Sequence, residues 1–124
     1  MSATKKVLII EDELSLLKAL ATKLSSLGLA VLTATDGAVG LAVALREHPD
    51  LILLDIIMPN MDGMTMLGKL RADAWGKTAK VIILTNLADA ESAEKAQSEK
   101  VFDYLIKSDW SLADLVDLVQ KKLK

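Results

Sequence analysis

The chain has 124 residues, 52% of them hydrophobic, and 17 acidic against 15 basic side chains give it a net charge of −2. That length suits one domain, residues 1–124, with a core large enough to need no staples, and the absence of cysteine removes disulfides, thiolate catalysis and cysteine-based metal sites. No apolar run nears the ~20 residues of a membrane span, the N-terminus lacks the pattern of a signal peptide, and no basic block is set to neutralise a row of phosphates. The expectation is a cytoplasmic protein with no direct nucleic-acid or membrane partner.

Strand-length apolar runs alternate with helix-period segments, the pattern of a parallel sheet covered on both faces. The first strand, over 5–10, ends in Glu11, Asp12 and Glu13. The helix predicted over 14–27 sets Leu14, Leu17, Ala21 and Leu24 on one face and stops at Gly28. A strand over 30–34 and a helix over 37–47, closed by Pro49, form the second unit, with His48 a surface residue at its end. The run Leu51-Ile52-Leu53-Leu54 stops at Asp55. Pro59 and Gly63 mark the loop before a helix over 63–73, which turns Met66, Leu67 and Leu70 inward. Met58, Met61 and Met64 read with Met66 as packing and loop filler.

The strand over 80–85 delivers Thr85, and the helix over 89–99 that follows has only Ala90, Ala93 and Ala96 as apolar residues. Burying so little apolar area, it should be weakly held. A strand over 101–106 delivers Lys107. The last helix, over 111–123, carries Leu112, Leu115, Val116, Val119 and Leu123 inward, with Trp110 packing at its start. Its closing lysines suit a helix C-terminus.

In a parallel sheet these strands end on one edge, where open α/β sheets place their sites. Asp12, Asp55 and Glu11 then form a cluster of negative charge that cannot stay fully ionised at close range without a cation. An oxygen-only donor set with no histidine or cysteine suits magnesium. Lys107 adds a positive charge and Thr85 a hydroxyl donor, three electrophilic contacts around one anionic group, and Asp55 is the carboxylate left free to attack. Singly, Asp55 reads as a cap, Thr85 as a strand-end hydroxyl, Lys107 as a solvated loop residue and Tyr104 as a half-buried aromatic. Their joint placement favours the site.

The segments VLIIEDE at 7–13, LILLDIIMPNMDG at 51–63, VIILTN at 81–86 and DYLIK at 103–107 together resemble the receiver domain of two-component response regulators. The resemblance spans essentially the whole chain. It implies a flavodoxin-like doubly wound fold, five parallel strands in the order 2-1-3-4-5 with five helices. It implies that Asp55 accepts a phosphoryl group from the phosphohistidine of a sensor histidine kinase, from a phosphotransfer protein or from a small phosphodonor. Magnesium is then held by Asp12, Asp55 and the backbone carbonyl of Ile57, with Glu11 acting through its water shell, while Lys107 and Thr85 bind phosphoryl oxygens. Thr85 and Tyr104 form the implied switch, acting on the surface of the fourth helix, fifth strand and fifth helix, towards a downstream protein target or a phosphorylation-dependent homodimer. Such a chain is a timed switch and not a turnover enzyme.

Two other readings stay open: a receiver that is part of a longer regulator, and a receiver-like binding module that is not phosphorylated. A flavin-binding relative of the fold is disfavoured, because Glu11-Asp12-Glu13 stands where a phosphate loop is needed. The sequence also departs from the family pattern. Ser108 replaces the usual proline after the lysine, and since a cis bond before a non-proline residue costs roughly 3 kcal/mol, a trans peptide is expected there. Asn86 stands where a small residue is usual. Ile57 and Leu87, each two residues past a site residue, are apolar at positions that flank the hydrolytic water in relatives, which implies a long-lived phosphoryl group.

Overall fold

The structure, a computed structural model, describes residues 4–86 and 90–124. Its elements follow in the order β1 (Lys6–Ile10), α1 (Leu14–Ser26), β2 (Ala30–Ala34), α2 (Gly37–Glu47), β3 (Leu51–Leu54), α3 (Gly63–Ala72), β4 (Val81–Thr85), α4 (Ala90–Ser98), β5 (Asp103–Ile106) and α5 (Leu112–Leu123). Short 3₁₀ turns, Gly76–Thr78 and Lys107–Asp109, precede β4 and α5. The sheet is parallel, in the expected order β2-β1-β3-β4-β5. Among the described residues no helix is long and apolar enough to cross a membrane.

Central strands buried on both faces explain the unbroken apolar runs. Val7, Ile9, Leu51, Leu53, Ile82 and Leu84 point to one face, where they meet Leu17, Leu20 and Leu24 of α1 and Leu115, Val116, Val119 and Leu123 of α5. Leu8, Ile10, Ile52, Leu54, Val81 and Ile83 point to the other, beneath Ala44 of α2, Met66, Leu67 and Leu70 of α3, and Ala96 of α4. A one-residue slip of any strand would exchange these two sets, so the pairing register is strongly specified.

Two inward assignments fail. Leu14 and Leu112, the first residues of α1 and α5, are exposed, and Leu20 is buried instead. The buried stripe of α1 is centred between Leu17 and Leu20, and at 3.6 residues per turn Leu14 lies about 90° off it. In α4, Ala96 is fully buried and Ala93 only partly so, which fits the expected thin apolar face. The methionines behave as filler: Met66 is fully buried, and Met58, Met61 and Met64 pack partly buried against the same core. Trp110 packs against the α1/α5 core as expected.

Helix ends follow local chemistry. Asp36, Asp62 and Ser111 accept hydrogen bonds from the amides of Val39, Thr65 and Asp114, capping α2, α3 and α5. His48 closes α2 in a left-handed conformation and stacks on Trp75, ring centroids 4.3 Å apart. Far from the strand ends that carry the acids, Arg71 ties three segments together. Its Nε donates to the Glu99 carbonyl at 2.7 Å, Nη1 to those of Gly76 and Ala79 at 2.7 and 2.8 Å, and Nη2 to that of Lys100 at 3.1 Å. The turn leaving α4 is thereby pinned to α3.

Arg71→Ala leaves those carbonyls to find new donors and should lower unfolding free energy by about 2–3 kcal/mol, read from urea titration. Arg71→Lys should recover little of it, because a point charge lacks the planar fork that reaches several carbonyls at once.

Candidate functional site

The sheet register brings the chemistry-bearing residues together. Ile10 pairs with Leu54 and Thr85 with Ile106, so Glu11, Asp55 and Lys107 each follow directly on a paired strand end. The Asp55 amide donates to the Ile10 carbonyl at 3.0 Å and the Glu11 amide to the Ala34 carbonyl at 3.0 Å, so both acids leave the sheet from fixed backbone. Behind Asp55 the chain doubles back, with the Gly63 amide on the Ile56 carbonyl at 2.8 Å. A Cβ at Gly63 would collide with the Asp55 carbonyl, which is why glycine stands there.

Asp55 is 5% exposed, Glu11 3% and Thr85 fully buried, whereas Asp12 is open to solvent. Each of Glu11, Asp12 and Asp55 offers a carboxylate oxygen within 4.8 Å of the others. Lys107 is the counter-charge: its Nζ lies 2.7 Å from Glu11 Oε1, 3.1 Å from Asp55 Oδ2 and 3.3 Å from Glu13 Oε2. The remaining oxygens are used locally. Glu11 Oε2 accepts from the Glu13 amide at 3.0 Å, and Asp55 Oδ1 from the Ile57 amide at 3.2 Å.

Burial dominates the protonation of Glu11 and raises its pKa to about 7, with the Asp55 charge adding to the rise and Lys107 and the Glu13 amide opposing it. Burial alone would lower the pKa of Lys107. Its hydrogen bonds to Glu11 and Asp55, with the charges of both, overcome that and raise it, so the ammonium stays protonated.

Glu11, Asp12, Asp55 and Lys107 meet here, and Thr85 ends β4, buried, on the same edge of the sheet. Glu11, expected only at the water shell of a cation, also grips Lys107 directly. Glu13 had been given no role, yet it is the third carboxylate on Lys107. Its signal was its place beside two site acids, but only the path of Lys107 back across the sheet turns that into a contact. Ile57 is 56% exposed at the mouth of the site, and Asn86, which follows the buried Thr85, is exposed. Leu87 lies outside the described residues. The described backbone contains no cis peptide, so Lys107–Ser108 is trans as expected and opens a 3₁₀ turn closed by the Trp110 amide on the Lys107 carbonyl at 3.3 Å. Tyr104, opposite Ile83 on β5, is partly buried against the core that includes Ala96.

Comparison with known proteins agrees with this arrangement. A family model described as "Response regulator receiver domain" matches residues 7–120. The chain is 39% identical over 101 residues to the transcriptional regulatory protein KdpE of Mycobacterium tuberculosis, covering 82% of this chain and 43% of that protein. It spans less than half the length of the curated relatives it matches. Among solved structures, a CheY-like response regulator receiver domain protein from Methanospirillum hungatei superposes with a TM-score of 0.89 at 27% identity, over 98% of this chain and 94% of that one. The receiver domain of the sensor histidine kinase PA1611 from Pseudomonas aeruginosa, solved with a magnesium ion coordinated in its active-site cleft, superposes at 0.84 with 29% identity, over 98% of each chain.

The raised pKa of Glu11 sets a pH dependence for the metal-free protein. A group that binds its proton more tightly when folded contributes stability that is complete below its unfolded pKa, ordinarily 4.5, and lost as pH rises through about 7. In EDTA, urea midpoints should therefore fall between about pH 5 and pH 7.5 in the wild type. Glu11→Gln should flatten that slope.

Proposed function

The chain belongs to the response regulator receiver domain family, and from that premise we propose that it is a phosphoacceptor switch of a two-component system, with Asp55 taking the phosphoryl group. The carrying observation is the buried Asp55 carboxylate held 3.1 Å from the Lys107 ammonium inside a cluster of acids. The donor set fits a divalent cation: three carboxylates converge, one of them solvent-accessible, and Lys107 alone cannot neutralise them. Magnesium held by Asp12, Asp55 and the Ile57 backbone carbonyl, with Glu11 acting through its water shell, would supply neutralising charge to the phosphoryl oxygens.

The chain's own residues carry the rest. An Asp55 carboxylate oxygen attacks phosphorus in line, forming the O–P bond as the P–N bond to the imidazole of the donor kinase or phosphotransfer protein breaks and the imidazole leaves with a proton. Lys107 follows the charge onto the transferred group, and the Thr85 hydroxyl donates to one of its oxygens. Positioning and charge stabilisation account for the rate in such a transfer. Water later cleaves the acyl phosphate, so the protein is a timed switch of the cytoplasm and not a turnover enzyme.

Output follows from the same contacts. As Thr85 turns towards the phosphoryl group, Tyr104 moves into the space beside it, and the surface of α4, β5 and α5 is remodelled for a downstream protein or a second copy of the chain. The relatives matched over less than half of their length support a second reading, in which this surface acts on an attached segment of a longer regulator.

Incubation with a small acyl phosphate and magnesium should add the mass of one phosphoryl group to the wild type and none to Asp55→Ala; phosphoryl gain that survives Asp55→Ala would refute the assignment. Lys107→Ala should slow the gain about a hundredfold, the usual scale for losing one preorganised charge contact. Ile57→Asn combined with Leu87→Glu, supplying groups able to orient water, should shorten the phosphoryl lifetime severalfold. An unchanged lifetime would remove the apolar pair as its cause.

A further inference from the structure

The roles given so far use only the inner end of the phosphoacceptor loop. That end is fixed by the Asp55 and Gly63 amides and by the Ile57 amide on Asp55 Oδ1. The outer end is tied to a different element, the start of α2. Asn60 Nδ2 donates to Asp36 Oδ2 at 3.0 Å, and the Gly37 amide donates to the Met61 carbonyl at 3.1 Å. A Cβ at Gly37 would collide with that carbonyl, so only glycine lets α2 approach the loop so closely.

Asp36 serves two purposes at once. One oxygen caps α2 through the Val39 amide at 2.8 Å, and the other receives Asn60. Those two contacts hold its carboxyl below the ordinary range, the Val39 amide first. Asn60 takes a left-handed conformation, φ 66°, and the Met61 amide turns back onto the Pro59 carbonyl at 2.7 Å. The loop is thus held at both ends, and Ile57, Met58 and Pro59 bridge the interval. Ile57 itself is held only by its amide on Asp55, its side chain being exposed.

We propose that Asp36, Gly37 and Asn60 are positioning residues of the phosphoacceptor site: they fix the backbone at Ile57 from the α2 side and so set the affinity of the Asp12–Asp55 pair for a divalent cation. This rests on the magnesium reading above and extends it to residues of the second βα unit, which contributes no side chain to the acid cluster. The tie acts on binding of the cation before any phosphodonor arrives.

Magnesium chloride titration by calorimetry tests it without reference to phosphorylation. Asn60→Gly keeps the left-handed backbone accessible and removes only the amide. Asp36→Ser keeps a capping oxygen for α2 but is too short to reach Asn60. Each should weaken magnesium affinity about threefold to tenfold, the range of one hydrogen bond. The double variant should be no weaker than the weaker single variant, since both changes remove the same tie. Urea midpoints in EDTA read any loss of fold separately.

Wild-type affinity in both single variants would overturn the proposal, as would losses that simply add in the double variant. Gly37→Ala, which displaces the Met61 carbonyl outright, should weaken binding further than either single variant; affinity equal to wild type would count against the tie. If the wild type took up no magnesium, the cation reading itself would fall, and this inference with it. Equal magnesium affinity across all variants would overturn this inference alone.

Discussion

One ammonium group holds this edge of the sheet together. Lys107 reaches back from the end of β5 to Glu11 and Glu13 beyond β1 and to Asp55 beyond β3. Two of those carboxylates are almost wholly buried, and removing Lys107, their only cationic partner among the described residues, would leave uncompensated charge in a low-dielectric site. The pairing is nonetheless incomplete by design of the charges: with Asp12 there are four acids around one lysine. An edge short of positive charge, with one acid facing solvent, fits a cation. Burial, more than the charges around it, raises the pKa of Glu11 within that cluster.

That strained edge rests on a scaffold of unequal halves. On one face α1 and α5 present a continuous apolar layer of leucines and valines to the sheet. On the other, α2 and α3 are well packed, while α4 contributes Ala96 as its only fully buried described side chain. Its far end is held by other means, through the Arg71 guanidinium on the Glu99 and Lys100 carbonyls. Polar anchoring at one end and thin packing along the body place α4 among the weakly held elements of the fold.

The strand runs, the sheet order and the convergence of Glu11, Asp12, Asp55 and Lys107 were legible because each depends on periodicity or on a strand ending at a polar residue. Leu14 and Leu112 were misread because a helix face inferred from spacing has an uncertain phase at its first residue, where one turn has no preceding neighbour to fix it. The ties that no pattern announces join distant residues through particular rotamers. Glu13 meets Lys107 across 94 positions, Arg71 meets Glu99 across 28, and Asn60 meets Asp36 across 24. Each looks locally like an ordinary surface residue. Asp36 was doubly hidden, since capping α2 is already a sufficient reason for an aspartate there.

The backbone shows how one departure from the family pattern, Ser108, is absorbed. Without proline after Lys107, the chain enters a 3₁₀ turn whose closing hydrogen bond, Trp110 amide to Lys107 carbonyl, fixes the lysine backbone. Trp110 in turn packs into the α1/α5 core, so the turn is anchored by apolar contact. Ile57 is different, because an exposed apolar side chain at the mouth offers neither donor nor acceptor to an incoming water. A site can hold its lysine by several equivalent turns, but it can orient water only with a polar group. A polar side chain in place of Ile57 would put at the mouth a donor or acceptor that the wild type does not offer from that position.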